Sequence, residues 1–430
     1  MEATVSTESN RHYKWVVVGV IWLMACLNYT DRMSVFSAFP VLKRELGISD
    51  MTLAFIGSSF LWIYGGFSPV GGYLGDRFRR SVILASLVIF SVVTFATGLA
   101  RSGPQLIVLR CLLGISEAAF LPPALAYIAS FHSNRTRSLA NSLALSGLTA
   151  GSGFGSWYGG YMSDHYSWRM GFFLLGAGGI VLAALALMIL RAPSPIRAAA
   201  AAKLEREPFR QKIAAMAKTP TACALIVLAF ALSLTSWPAH SWLPTYLFEK
   251  FTPSLTSAGS FITLFAALPA LLAGIGGGIG ADRWAQSDPR GRMALQVIGF
   301  GLMAPTMLAI GWMPSSHSLA IDLLIYSVAR GMLEANSMPI FCSVLPPHRW
   351  SFAYGIYNFA GTIAGSLGIV LVGARKSSWG IGMTLSAMSV LLFVGLGVMG
   401  VVMVRYFPAD MQRQREFMQN WRQARLSASA

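Results

Sequence analysis

The chain has 430 residues, of which 55% are hydrophobic and only 12% charged, and its formal net charge is +16. Soluble domains carry about a quarter charged residues, so this composition excludes an ordinary water-soluble globule. Cysteine is scarce: Cys26, Cys111, Cys223 and Cys342 fall inside apolar stretches without metal-ligand spacing and read as packing residues.

Apolar runs long enough to cross a bilayer, which takes about 20 residues, recur along the whole chain. Twelve are expected, over 15–39, 52–74, 81–100, 104–130, 138–162, 169–190, 221–248, 257–281, 293–314, 318–345, 351–374 and 379–405. They are continuous runs rather than short alternations, which predicts helices and not barrel strands. The expected fold is therefore all-α and integral to the membrane. A polar tail (1–14) precedes a six-helix bundle (15–191), then come a linker (192–220), a second six-helix bundle (221–405) and a tail (406–430). The first tail has no small-residue cleavage site, so the first helix is expected to be retained.

The basic charge is unevenly distributed. With both termini in the cytoplasm, 23 of the 33 Lys and Arg residues fall in cytoplasmic segments, 7 in outer loops and three inside helices. That split obeys the positive-inside rule and predicts a multi-pass protein of the cell (inner) membrane with both termini cytoplasmic. Orientation in the lipid bilayer accounts for the charge, and no nucleic-acid partner is expected.

Within the first span only the neighbours Asp31 and Arg32 are charged; the fourth span holds Arg110 and Glu117. A charge at mid-membrane costs at least ~2.5–3.5 kcal/mol on insertion scales, so such residues face the protein interior and usually act there. At 1.5 Å per residue Asp31 lies roughly 24 Å along its span, and Arg110 and Glu117 lie roughly 9 and 20 Å into theirs. Arg110 and Glu117, seven apart, share a face, whereas Asp31 and Arg32 point about 100° apart. The expected arrangement sends Asp31 toward Arg110 and Arg32 into a central cavity. Burial favours a neutral carboxyl and an adjacent guanidinium favours the carboxylate. An anion that draws the arginine away would thus make the carboxyl take up a proton. The alternative, that these pairs only staple helices, would be met as well by apolar packing. In span ten Arg330 and Glu334 share a face and are expected to form a structural or gating pair. His240, among the tryptophans of span seven, reads as a hydrogen-bonded wall residue, with titration as the alternative.

The two halves repeat in order. Gly-Gly-Tyr-Leu-Gly-Asp-Arg at 71–77 recurs as Gly-Gly-Ile-Gly-Ala-Asp-Arg at 277–283, and Arg110 and Glu117-Ala118 are echoed by Arg330 and Glu334-Ala335. Leu148-Thr-Ala-Gly-Ser152 is echoed by Thr362-Ile-Ala-Gly-Ser366, and Trp168 by Trp379. Parallel six-helix repeats describe a rocker-type secondary transporter.

Gly-Tyr-Leu-Gly-Asp76-Arg77-Phe-Arg-Arg80 resembles the loop motif between spans two and three of the major facilitator superfamily, with a weaker copy at Asp282-Arg283. The family's usual glycine before the last basic pair is Phe78 or Arg79 here. The motif implies a conformational latch and topology anchor, Asp76 capping or pairing with a neighbouring helix end and the arginines meeting phosphate headgroups.

Five further elements resemble that superfamily's anion:cation symporter branch: Asn28-Tyr-Thr-Asp31-Arg32, Trp62-Ile-Tyr64, Arg110…Gly114…Glu117-Ala118, Trp242-Leu-Pro-Thr-Tyr246 and Tyr357-Asn358-Phe-Ala-Gly361. The resemblance implies alternating-access symport of a small organic anion (a sugar acid or other carboxylate) with a proton, by a monomer needing no cofactor beyond the proton gradient. It further implies that Arg32 binds the carboxylate, that Tyr64 and Asn358 hydrogen-bond the substrate's body, and that Asp31 and Glu117 carry the proton, modulated by Arg110. Sugar-acid carriers of this type tend to have an amide where Leu148 follows Ser146-Gly147. With Trp157, Tyr158, Trp237 and Trp242 near the expected cavity, a less hydroxylated or aromatic acid becomes credible. Spinster-like lipid carriers share the Asn-Tyr-x-Asp-Arg and Arg…Gly…Glu-Ala patterns, which makes lysolipid transport the alternative. A non-transporting membrane sensor is the alternative of another class. No nucleotide loop, metal cluster or nucleophile–base constellation is present, so no enzyme activity is expected.

Overall fold

A computed structural model describes residues 2–132, 136–191, 209–346 and 349–429. Residues 192–208, most of the expected linker, lie outside that set. The described residues form helices and no strands. In chain order they are α1 (Glu2–Ser37), α2 (Phe39–Leu46), α3 (Asp50–Thr97), α4 (Gly103–Ala118), α5 (Leu121–Phe131), α6 (Arg137–His165), α7 (Trp168–Ile189) and α8 (Phe209–Ala217). Then follow α9 (Pro220–Lys250), α10 (Leu255–Ile262), α11 (Leu268–Ser287), α12 (Gly291–Ala309), α13 (Ser316–Val344), α14 (Trp350–Met388), α15 (Val390–Arg405) and α16 (Phe407–Ser429).

Helix boundaries follow local chemistry. Pro122 and Pro123 remove two backbone donors and favour a fresh start, so the expected fourth span divides into α4 and α5 just after Glu117. α3 bends at Phe78 (φ −129°, ψ 42°) and holds two spans. α14 breaks at Gly380, whose φ of +74° is open to glycine without strain. Among the described residues nine stretches are long and apolar enough to cross a membrane. One of them, Phe352–Arg405, passes through the Gly380 break and supplies two spans. α6 and α13 have the length but not the apolarity, the first rich in glycine and serine, the second carrying Asp322, Arg330 and Glu334. With them the count is twelve.

By packing, the chain forms two units, and their limits differ from the expected bundles. The first holds 1–202 together with Pro238–Leu268 and Ile369–Ser378; the second holds Lys203–Trp237, Pro269–Gly368 and Trp379–Ala430. In the first unit α6 is the central strut. Gly147, Gly151, Gly155 and Gly159, one turn apart, meet the carbonyls of Trp22, Cys26, Thr30 and Ser34 so closely that a Cβ on any of them would lie within 2.6 Å. The register runs upward on both helices, so α1 and α6 are parallel. This is small-residue packing, which lets membrane helices gain dispersion contact where burial from water gives no drive. Thr30 and Ser34 hydroxyls donate across it to the Gly151 and Gly155 carbonyls, at 3.4 and 3.2 Å. The opposite face of α6 receives α10, where Gly259 leaves room for Ser156 and Gly160 for Leu255. The segments 238–268 and 369–378 are tied in by polar contacts as well. The Asp164 carboxylate accepts from Thr256 N and Oγ1 (2.6 and 2.7 Å), and Lys376 Nζ bridges Glu249 (2.7 Å) and Asp50 (3.2 Å). Lys43 also pairs with Asp50, at 2.7 Å.

In the second unit Gly361 and Gly365 take the same role on α14, packing on Ser233 and Trp237 of α9. Their offset of 214 from Gly147 and Gly151 is that of the repeat. Contacts of two other glycines correct the register expected for span ten: Gly71 sits on Ala118 and Gly277 on Met332, and these two partners are again 214 apart. The sequence echo of Arg110 and Glu117 at Arg330 and Glu334 is therefore displaced along the helix by three to six residues.

Gly155→Val is expected to lower stability by about 1–3 kcal/mol through overpacking against α1, read as an earlier thermal transition of the purified protein. Gly178→Ala, whose Cβ would meet nothing within 4 Å, serves as the silent control.

Candidate functional site

The α1–α6 glycine row fixes the height and rotation of α1, and so the directions of its two adjacent charges. Gly114 does the same between α4 and α3, since a Cβ there would lie 2.8 Å from the Phe60 carbonyl and 3.1 Å from Tyr64 N. The outcome is two buried ion pairs. Asp31 Oδ2 accepts from Arg110 Nη1 at 3.0 Å, and the two residues are 0% and 1% exposed. Arg32 Nη2 donates to Glu117 Oε2 at 2.5 Å, both residues again buried. Helical phase brings Asp31 to Arg110. Arg32, expected to point into a cavity, is instead held by Glu117.

Aromatic rings enclose the Arg32 guanidinium. Its central carbon lies 4.2 Å from the ring centroid of Phe60, 4.4 Å from Tyr29 and 5.5 Å from Tyr64. Phe60 and Tyr64 stack on one another at 5.7 Å. The rings present negative faces to the cation and exclude water. Arg110 lies 5.7 Å from the ring of Phe172. Sequence reasoning missed Tyr29 and Phe60; their signal was the three-residue spacing from Tyr29 to Arg32 and the four-residue spacing from Phe60 to Tyr64.

The four charges leave hydrogen-bonding capacity unused. Asp31 Oδ1, Glu117 Oε1, and Arg110 Nε and Nη2 are buried without a hydrogen-bond partner among the described residues. A half-satisfied buried network is a costly arrangement and a poor permanent staple. It is chemically able to accept a proton on either carboxylate and an anion at either guanidinium. The charges of Asp31, Arg110 and Arg32 all bear on Glu117, so the two pairs form one electrostatic unit.

Other expected site residues fall elsewhere. Tyr64 is half-buried in the aromatic wall. Asn358 belongs to the second unit, where its side chain is exposed and makes no hydrogen bond among the described residues. Arg330 Nε donates to Glu334 Oε1 at 2.9 Å within one turn of α13. The side chains of Asp76 and Arg77 lie outside the described residues. Arg80, expected at lipid phosphates, instead donates to the Leu190 and Leu187 carbonyls at 2.6 and 3.0 Å, satisfying the C-terminus of α7. Those carbonyls lack intrahelical donors, which makes them strong competitors for a guanidinium. Asp282 pairs with Arg292 at 2.8 Å, while Arg283 is exposed. His240 is half-buried in α9.

Comparison with known proteins adds a family. Residues 21–369 match the pattern of the Major Facilitator Superfamily. A probable sulfoacetate transporter of Cupriavidus necator is 25% identical over 82% of both chains. A probable galactarate/D-glucarate transporter of Escherichia coli K12 is 23% identical, covering 94% of this chain and 96% of the relative. In fold, the chain is similar to a bacterial homologue of the human lysosomal transporter Spinster, solved in an inward-facing and occupied conformation. The TM-score is 0.78 at 19% identity, over 93% of this chain and 98% of the other.

Removing one partner of a buried pair strands the other charge. Arg110→Met is expected to cost about 3–5 kcal/mol, and the double variant Asp31→Asn/Arg110→Met to recover most of that loss. Chemical or thermal unfolding in detergent, analysed as a double-mutant cycle, reads the difference; additive effects would mean that the pair is not coupled.

Proposed function

The chain belongs to the major facilitator superfamily of membrane transporters, and from that premise we propose that it is a proton-coupled symporter of a small organic anion. The observation that carries this reading is the Arg32–Glu117 pair inside its aromatic enclosure. An incoming carboxylate or sulfonate competes with Glu117 for the one guanidinium. Once displaced, the Glu117 carboxylate sits among apolar and aromatic groups without its cation, and binding a proton is its cheapest resolution. Anion and proton are thereby loaded together, and neither moves productively alone. The neighbouring Asp31–Arg110 pair supplies a second carboxylate for the relay and a guanidinium that modulates both.

Relatives named as probable carriers of sulfoacetate and of galactarate or D-glucarate support an organic anion as substrate. Tyr64, on the wall beside Arg32, is assigned to hydrogen-bond the substrate's body, and Asn358 is the corresponding candidate in the second unit. We place the protein in the cell (inner) membrane as a monomer with both termini in the cytoplasm, from the positive-inside split of its loops. In that orientation the Asp164–Thr256 and Lys376–Glu249–Asp50 contacts lie on the outer side. They join residues of the expected bundles 15–191 and 221–405 within the first unit, so alternating access of those bundles requires them to break and re-form in each cycle, with Asp76, Arg77, Arg80, Asp282 and Arg283 as the inner-side latch and Arg330–Glu334 as a gating pair.

In proteoliposomes, accumulation of sulfoacetate or galactarate is expected only with an inward proton gradient. Asp31→Asn should abolish accumulation; undiminished accumulation by that variant at every pH would sink the coupling. Arg32→Lys, which loses the planar fork, is expected to weaken apparent affinity about ten- to hundredfold, the equivalent of about 1.5–3 kcal/mol for a charged hydrogen bond. Oxidative cross-linking of the pair Asp164→Cys/Thr256→Cys should stop uptake, and reductant should restore it. Uptake that continues through the cross-link would show that these contacts do not open during transport.

A further inference from the structure

α13 carries a carboxylate that the first unit's chemistry does not use. Asp322 is 6% exposed and makes no hydrogen bond or ion pair among the described residues. One turn on, Tyr326 is also 6% exposed, and its hydroxyl has no hydrogen-bond partner among the described residues. Residues four apart lie on one helix face, so the series Asp322, Tyr326, Arg330, Glu334 forms a polar row along α13. Exposure rises along it, from the buried first two members to 22% for the Arg330 side chain and 51% for that of Glu334. The charges of Asp322, Arg330 and Glu334 all bear on Tyr326.

Among the described residues no counter-charge acts on Asp322. α12 runs antiparallel to α13, with Gln296 on Ser337 and Gly299 against Ala329 and Leu333. That register places Thr306 and Met307 opposite Asp322. The single basic group of α12 that faces α13, Arg292, acts at Cys342 and pairs with Asp282, five turns away. On α16, which also packs on α13, Asp410 is occupied by Thr221 and Arg413. On α13 itself His317 lies in the exposed first turn, and Arg330 lies about 12 Å along the helix and is bonded to Glu334. On α14, Tyr354 and Tyr357 sit at the Ser337 and Glu334 level, Lys376 is bonded to Glu249 and Asp50, and Arg375 is exposed. A helix-stapling role would require a partner, and among the described residues Asp322 has none. Its depth of six residues into α13 is close to that of Arg110, seven residues into α4.

We propose that Asp322 is a second proton-binding site, in the second unit, which exchanges its proton through the Tyr326 hydroxyl with the exposed end of the row at Glu334. A rotation of the Tyr326 side chain, one turn away, brings its hydroxyl into hydrogen-bond reach of Asp322; the hydroxyl then takes up a proton from the exposed side on its lone pair and releases its own hydrogen to Asp322 Oδ, and the carboxylate becomes neutral. Arg330 holds its charge throughout and orients Glu334. The transport consequence rests on the proton-coupled reading above; the binding site itself does not.

The deciding measurement is pH-difference infrared spectroscopy on the reconstituted full-length protein, without substrate. Wild type is expected to show a protonated-carboxyl carbonyl band that titrates, Asp322→Asn to lose one component of it, and Tyr326→Phe to shift that component's frequency. An unchanged band in Asp322→Asn overturns the proposal. Should that variant not fold, the Tyr326→Phe spectrum decides: a shifted component upholds the assignment and an unshifted spectrum overturns it. A transport arm, with sulfoacetate and galactarate as probes and a trapped pH dye, should show the proton-to-substrate ratio of Tyr326→Phe or Asp322→Asn vesicles falling by one. If wild type moves substrate without protons, the coupling reading fails on its own, and the infrared result still stands or falls separately.

Discussion

Two arginines and two carboxylates held out of water on α1 and α4 set the terms for everything around them. At an effective dielectric near 20, a pair of unit charges 4 Å apart gains about 4 kcal/mol. Removing each ion from water costs several kcal/mol even after relaxation. Attraction and desolvation therefore nearly cancel, and the pairs contribute little net stability. What they contribute to the proposed transport is sensitivity: with the balance so close, one arriving anion or proton would be enough to change which partner Arg32 holds. The same near-cancellation explains why the arrangement needs a rigid frame to persist.

That frame is built from small residues and interrupted helices. The glycine row of α6 lets α1 approach to backbone contact, and its carbonyl-to-hydroxyl bonds at Thr30 and Ser34 bracket Asp31 and Arg32 from above and below. Gly114 brings α4 onto the segment of α3 that carries Phe60 and Tyr64, so the aromatic wall and Glu117 arrive together. Pro122 and Pro123 then end the helix within one turn of Glu117, leaving its carboxyl at a helix terminus rather than in mid-helix. Each device is local in sequence, but each acts by placing a partner far along the chain.

This explains what could and could not be read beforehand. The Asp31–Arg110 contact follows from depth and helical phase alone, because those are properties of single helices. The glycine spacing of α6 is plain in the sequence, but the helix it meets is not, since a small-residue face specifies close approach and no particular partner. The hold of Glu117 on Arg32 required knowing where α3 stands, because two of the three rings that close that guanidinium off from water, Phe60 and Tyr64, come from α3. Arg80 shows the same limit: a basic loop residue reads as a headgroup ligand until a neighbouring helix end offers bare carbonyls. Asp322 was legible by the rule that singled out Asp31, an isolated acid in an apolar run (Leu319-Ala-Ile-Asp322-Leu-Leu-Ile-Tyr326). It was obscured by the more conspicuous Arg330 and Glu334 on the same helix.

The two units differ in how they reach electroneutrality, and in a medium that barely screens charge this difference matters more than the number of polar residues. The quartet in the first unit sums to zero when all four groups are ionised. Adding a monovalent anion makes it −1, and a proton on Glu117 or Asp31 restores zero. Under the proposed symport, coupling needs no dedicated signal between substrate and proton sites, because the same low dielectric that makes the bare pairs marginal penalises any half-loaded state. In the second unit the Arg330–Glu334 pair already sums to zero, so the carboxylate of Asp322 is a surplus charge whenever it is ionised. On the proposed reading a bound proton neutralises it, so the two units place opposite demands on the ions that visit them: one becomes unbalanced on binding substrate, the other on losing a proton.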